Sequence, residues 1–231
     1  MAIVLLALKT FYKLMLMNRF KLFIWILSAL IFLAFNTERE DFQPLKNIEA
    51  LKTKIKAYTS ETHTIQSDFI QEKHLTMLEE VLISNGHFIF QKENNVRWEY
   101  LEPIDYAIIV YDGRFIIRDG DKIRSFDIES NRLFSEINNM IVTSVSGNFI
   151  DNPDFKTAYF ENDSYYLVRL TPTNPEVKDM LSSIEIYFDK SNISVSQVKF
   201  TEPDDDYTFI KFSNKIFNQV ISEDVFHIDT Y

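Results

Sequence analysis

Four histidines, at positions 63, 74, 87 and 227, are the side chains best suited to acid–base or metal chemistry in this chain. Their spacing supports neither. His63 and His74 stand eleven residues apart, and the other two fall on separate segments, without the short intervals that metal ligands keep. The absence of cysteine removes disulfides and thiolate ligands, and leaves no residue for N-terminal lipidation. No G-x-S-x-G, phosphate-binding glycine loop or H-E-x-x-H is present. Asp204-Asp205-Asp206 reads as solvated charge in a turn. No catalytic residue, metal or cofactor is therefore expected. What the chain offers in quantity is apolar surface, with 21 Phe and 11 Tyr and 46% hydrophobic residues.

The elements that hold this surface are mostly strands. Gly86 to Asp127 alternates apolar runs with turn residues, including Asp112-Gly113 and Asp119-Gly120-Asp121, and predicts an antiparallel meander. Alternation puts Phe88 and Phe90 on one face of its first strand. Val96, Trp98 and Tyr100 share a face of the next, with Arg97 and Glu99 opposite. Tyr106 to Tyr111 is apolar on both sides, which predicts cover on both faces. Upstream, Leu45, Ile48, Leu51, Ile55 and Tyr58 predict an amphipathic helix over Pro44 to Tyr58, with Pro44 in the first turn. Strands follow at His63 to His74 and Met77 to Ser84, the second joined to the meander by a turn at Asn85-Gly86. Leu133, Ile137, Met140, Ile141 and Val145 predict a helix over Glu129 to Ser146, closed by Gly147. Strands return from Phe155 to Phe212, and Val225 to Ile228 is expected as a last edge strand. Ten or eleven strands and two main helices result, a count that curls a sheet toward a barrel.

Residues 1–35 differ in kind. They hold Lys9, Lys13, Arg19 and Lys21, no acid, and the apolar run Leu22 to Phe35. This is the order of a secretory signal peptide, with Met17 an alternative start and a retained N-terminal anchor the alternative reading. From Asn36 on, 20 Lys and Arg face 34 acids, a net charge of −14. Such a surface repels phosphate backbones, so no nucleic-acid partner is expected. The length from residue 36 to 231 fits one domain.

Five segments in order carry a likeness: Phe69-Ile70-Gln71, Gly86 to Lys92, Val96-Arg97-Trp98-Glu99-Tyr100, Pro103, and Val110-Tyr111-Asp112-Gly113. Together they resemble the periplasmic outer-membrane lipoprotein carrier family (LolA-like), closely from Ile48 to Asp127 and loosely to Ile228. The resemblance implies a mainly β, α+β fold: a strongly curved antiparallel sheet forming an unclosed β-barrel, with an α-helical lid over a hydrophobic cavity. It implies a monomeric periplasmic carrier or chaperone, not an enzyme. Such a carrier shields lipoprotein acyl chains between an inner-membrane releasing transporter and an outer-membrane acceptor. A lipid- or lipoprotein-binding sensor or assembly module on the same half-barrel is the alternative. The expected cavity residues are Phe69, Phe88, Phe90, Trp98, Tyr100, Ile108 and Val110 on strands, with Leu133, Ile137, Met140 and Ile141 on the lid. Where the family has Arg-Pro latching the lid, this chain has Lys92-Glu93, so Lys92 or Arg97 is the expected latch.

Overall fold

The computed structural model describes residues 41–92, 95–128 and 152–227, of which Phe42 onward form one compact unit. Its helix α1 spans Ile48–Glu61, not Pro44 to Tyr58. Asn47 is the start signal that wins, because its side-chain oxygen accepts from the Ala50 N–H at 3.1 Å. Pro44 lies in a two-residue strand β1, Gln43–Pro44, paired to Phe160. A proline at a sheet edge loses no ladder bond.

Strands β2 (Thr64–His74), β3 (Leu82–Gln91), β4 (Asn95–Glu102), β5 (Tyr106–Tyr111), β6 (Arg114–Asp119) and β7 (Lys122–Asp127) form the expected antiparallel meander. After the undescribed stretch come β8 (Phe155–Glu161), β9 (Tyr165–Pro172), a short helix α2 (Pro175–Lys178), β10 (Ser183–Asp189), β11 (Val195–Thr201) and β12 (Tyr207–Phe217). The described strands make one twelve-stranded antiparallel sheet in the order β1-β8-β9-β10-β11-β12-β2-β3-β4-β5-β6-β7. It is not closed, with β1 and β7 as its edges. The two halves of the chain are thus joined through β12 and β2, which pair from Tyr207↔His74 to Phe217↔Ile65.

Asp112-Gly113 is a tight hairpin turn as expected, with φ of 47° and 70°. Asn85-Gly86 is not a turn. Both residues lie inside β3, and the chain reverses earlier, between His74 and Leu82. Gly86 is needed there for room: a Cβ would stand 1.9 Å from the Glu99 carbonyl oxygen and 2.8 Å from the Phe69 ring. Nor is Val225 to Ile228 an edge strand. Glu223–Phe226 is a turn of 3-10 helix, and Ile228 lies outside the described residues. The reason is Phe226, which is fully buried against Ile109 and Ile221 in place of joining a ladder. The expected helix Glu129 to Ser146 also lies outside the described residues.

Candidate functional site

Helix α1 defines an inner face of the sheet. Leu51 and Ile55 pack there on Val168, Leu170, Ile184, Ile186, Phe188 and Val198 from β9, β10 and β11. The alternation of β2 to β6 points a second set of residues to the same side. Phe69, Phe88, Phe90, Val96, Val110, Phe115 and Ile210 form its buried part. Ile65, Trp98, Tyr100, Ile108 and Ile117 are only half-buried against it. Phe200 and Phe212 touch both sets, so the face is continuous.

Aromatic rings link up across this second region. From Tyr106 the contacts run through Tyr100 (6.1 Å between centroids), Phe69 (5.2 Å), Trp98 (4.8 Å) and Phe88 (5.2 Å) to Phe212 (5.8 Å). Phe69 on β2 reaches Trp98 on β4 because Gly86, on the strand between, has no side chain to stand in the way. Trp98 also lies 6.0 Å from Phe212, three strands away. Flat strands would separate those backbones by roughly 14 Å, so the contact fits a sheet curved toward this face. Among the described residues, the buried Ser67 Oγ and Trp98 Nε1 on this face have no hydrogen-bond partner. The Tyr100 hydroxyl donates to Gln71 Oε1 at 2.9 Å, and burial pushes its pKa up against the opposing influence of Trp98 and Gln71.

All seven strand residues expected in the cavity, Phe69, Phe88, Phe90, Trp98, Tyr100, Ile108 and Val110, belong to this one cluster. Leu133, Ile137, Met140 and Ile141 lie outside the described residues. Ile65, expected on one face of its strand with Phe69, packs against the cluster too. Phe115, Ile117, Ile210 and Phe212 join it without having been singled out, although period-two alternation in β6 and β12 was the available signal. Lys92 donates from Nζ to the Ser60 carbonyl at 2.6 Å, so its described partner is the C-terminal turn of α1. A cation suits that end of a helix, whose own last turn has none. Arg97 faces the other way. Its guanidinium pairs with Glu99 at 2.7 Å and donates to the Val225 carbonyl at 2.9 Å.

The outer face behind the aromatic region is also covered. Ile109, Ile221 and Phe226 are buried together there, with Ile89, Tyr111, Ile116 and Val225 around them. Glu99 is the electrostatic centre, receiving Arg97 and, at 2.9 Å, Arg118. The Arg97 hydrogen bond, opposed by burial, holds the Glu99 carboxyl below its usual range.

Reactive chemistry finds no comparable assembly. His87 meets Asp68, His74 stacks on Tyr207, and His227 lies against Tyr111, at three separate places. No group of three metal-ligating side chains occurs among the described residues. Lys215, whose pKa burial lowers, donates to Ser194 Oγ at 2.6 Å, a geometry seen in nucleophile activation. Ser194 is 1% exposed, so no substrate reaches it. No helix of the described residues is long and apolar enough to cross a membrane.

The family model for outer membrane lipoprotein carrier protein LolA matches residues 60–229. No curated protein matches the chain. Similar solved structures include a LolA superfamily protein from Nitrosomonas europaea, with 12% identity and a TM-score of 0.44, covering 79% of this chain and 98% of that one. A putative outer membrane lipoprotein-sorting protein domain from Vibrio parahaemolyticus has 8% identity and a TM-score of 0.42, covering 77% and 94%. The MucA/MucB complex of Pseudomonas aeruginosa contains another, with 9% identity and a TM-score of 0.42, covering 78% of this chain and 60% of that one.

Proposed function

Because this chain belongs to the LolA family of outer membrane lipoprotein carrier proteins, we propose that it carries acylated lipoproteins through the periplasm. The acyl chains lie against the aromatic inner face of β2 to β6. The observation that supports this is the character of that face: a continuous apolar cluster that is only half-buried at Trp98, Tyr100 and Ile108. Each CH2 removed from water contributes about 0.8 kcal/mol, so a lipid anchor of tens of methylenes needs such a shield to leave a membrane. Loading from an inner-membrane transporter and delivery to an outer-membrane acceptor complete the reading, with residues 1–35 as the export signal.

The segment Glu129 to Ser146 is proposed as the lid. Its stripe of Leu133, Ile137, Met140 and Ile141 supports this. So does the topology, since Asp127 ends one edge strand of the sheet and Phe155 begins the strand next to the other edge. Native mass spectrometry and lipid extraction of the protein purified from periplasm test the function. The expected result is a bound acylated peptide or lipid, which passes to acceptor membranes and whose binding slows hydrogen exchange in Glu129 to Ser146. A lipid-free protein that takes up no acylated peptide would sink the proposal. Lipid bound but never handed on would favour a sensor.

A further inference from the structure

Outside the aromatic face, most of the large exposed apolar side chains of the described residues gather at one end of the sheet, with Ile48, Ile70, Ile216 and Val220 elsewhere. The β2–β3 connection carries Met77, 94% exposed, with Leu78 and Val81. Leu82 and Ile83 open β3, Ile83 at 61% exposure. The β4–β5 connection adds Leu101 and Ile104, the latter 56% exposed. Met180, before β10, lies at the same end.

Hydrogen bonds tie these connections into one rim. Thr76 donates from its backbone N–H and hydroxyl to Asp206 Oδ1, joining the β2–β3 loop to the β11–β12 turn. Ser182, two residues after Met180, donates from its N–H to the Thr201 carbonyl. Asn85 donates to Glu102, and the Gly120 N–H to the Asp105 carbonyl. The β2–β3 and β4–β5 connections are two strand spacings apart, roughly 10 Å, so one partner spans both.

The charge around this apolar rim has one sign in excess. Glu79 and Glu80 lie inside the Met77 to Val81 loop, and Asp204 and Asp205 lie on the next turn; none of the four makes an ion pair among the described residues. Of the cations at this end, Lys73 and Arg118 are held by Glu202 and Asp105, which leaves Lys122 and Lys178 against a larger number of acids. Exposed apolar groups that are contiguous and rimmed by charge mark interaction sites. Acids repel an anionic lipid surface, and two copies of this rim repel each other.

We propose that this rim docks a protein partner whose contact surface is an apolar segment flanked by Lys or Arg. The docking surface is separate from the inner face and does not depend on what that face carries.

A synthetic peptide with a Leu/Phe centre and lysine flanks, titrated against the purified protein by fluorescence anisotropy, tests this beside a twin with glutamate flanks. The lysine-flanked peptide should bind, with affinity falling as salt rises, and the twin should bind at least tenfold more weakly. Met77→Ser/Leu78→Ser and Glu79→Lys/Glu80→Lys should each weaken it at least tenfold, while Ile216→Ser/Val220→Ser, elsewhere on the surface, should not. All these sites are exposed, so folding is expected to survive, and circular dichroism checks it. Equal binding of the two peptides, or indifference to the rim substitutions, overturns the proposal. Flotation with phosphatidylcholine vesicles that Met77→Ser/Leu78→Ser abolishes assigns the rim to a lipid surface instead. Self-association in sedimentation velocity, lost in the same variant, assigns it to a second copy.

Discussion

The two halves of the inner face are built differently. Beneath α1, the half formed by β8 to β11 is mainly aliphatic, with Leu51, Ile55, Val168, Leu170, Ile184, Ile186 and Val198 buried together. The half formed by β2 to β6 is mainly aromatic, and its cover among the described residues lies on the outside: Phe226, Ile221 and the Arg97–Glu99–Arg118 network. A helix pressed on the first half makes a core. A backing on the far side of the second supports the strands without itself covering their inner side chains. The fold thereby separates stability from the proposed binding surface, placing each on its own face or half.

Truncating the two covers puts this division under the largest strain. Phe226→Ala should cost about 3–4 kcal/mol and Ile55→Ala about 3 kcal/mol of stability in denaturant unfolding, since both side chains are fully buried. Their consequences for cargo should differ. Loss of Phe226 loosens the strands under the aromatic rings and should weaken acyl-chain binding as well. Loss of Ile55 should leave binding by the surviving folded protein nearly intact. Equal losses of binding in both variants would mean that the halves act as one core.

A smaller effect on stability, with a large one on binding, is expected for Trp98→Glu. Trp98 is half-buried between Phe69, Phe88 and Phe212. A carboxylate on a face that opens to water or cargo is partly solvated and should cost about 1–2 kcal/mol, where in a closed core it would cost several. Fluorescent fatty-acid displacement should show at least a tenfold loss while the unfolding transition persists. A variant that does not fold would show that Trp98 belongs to a closed core and end the distinction between the halves.

Much of this plan is legible in the chain. Alternation identifies β4 and the strand residues of the aromatic cluster on β3 and β4, and the two-sided apolar run of Tyr106 to Tyr111 announces the need of β5 for cover on both sides. What alternation does not carry is which segment supplies that cover. Val225-Phe226-His227 reads locally as a strand, and only the surroundings of Ile109 turn it into a buried 3-10 strap. Asn85-Gly86 is misleading for the same reason. The pair is a strong turn signal by itself, but the close approach of Glu99 and Phe69 needs the same glycine within a strand. Pro44 loses to Asn47 because a side-chain cap is a stronger start than a permitted first-turn residue.

The smallest and most specific effect concerns how the outer backing is fastened. Glu99 accepts from Arg97 at 3.0 and 2.7 Å, and Arg97 in turn donates to the Val225 carbonyl, so the carboxylate orients the guanidinium that holds the strap. Its pKa is lowered chiefly by that hydrogen bond. A carboxyl depressed in the folded state contributes stability above its unfolded pKa, near 4.3, and loses the contribution as pH falls through the lower folded value. Glu99→Gln should therefore cost about 1 kcal/mol at pH 7, at the modest end for a charged hydrogen bond because the pair is partly solvated. The gap between wild type and variant should stay constant down to about pH 5 and close below about pH 4. Hydrogen exchange at the Val225 and Phe226 amides should rise in the variant at pH 7, while that of Leu51 and Ile55 in α1 stays the same. If the stability gap survives at pH 3, charge is not what fastens the strap. If α1 loosens along with it, the outer backing and the inner helix form one cooperative unit, and the two halves of the inner face are not independently supported.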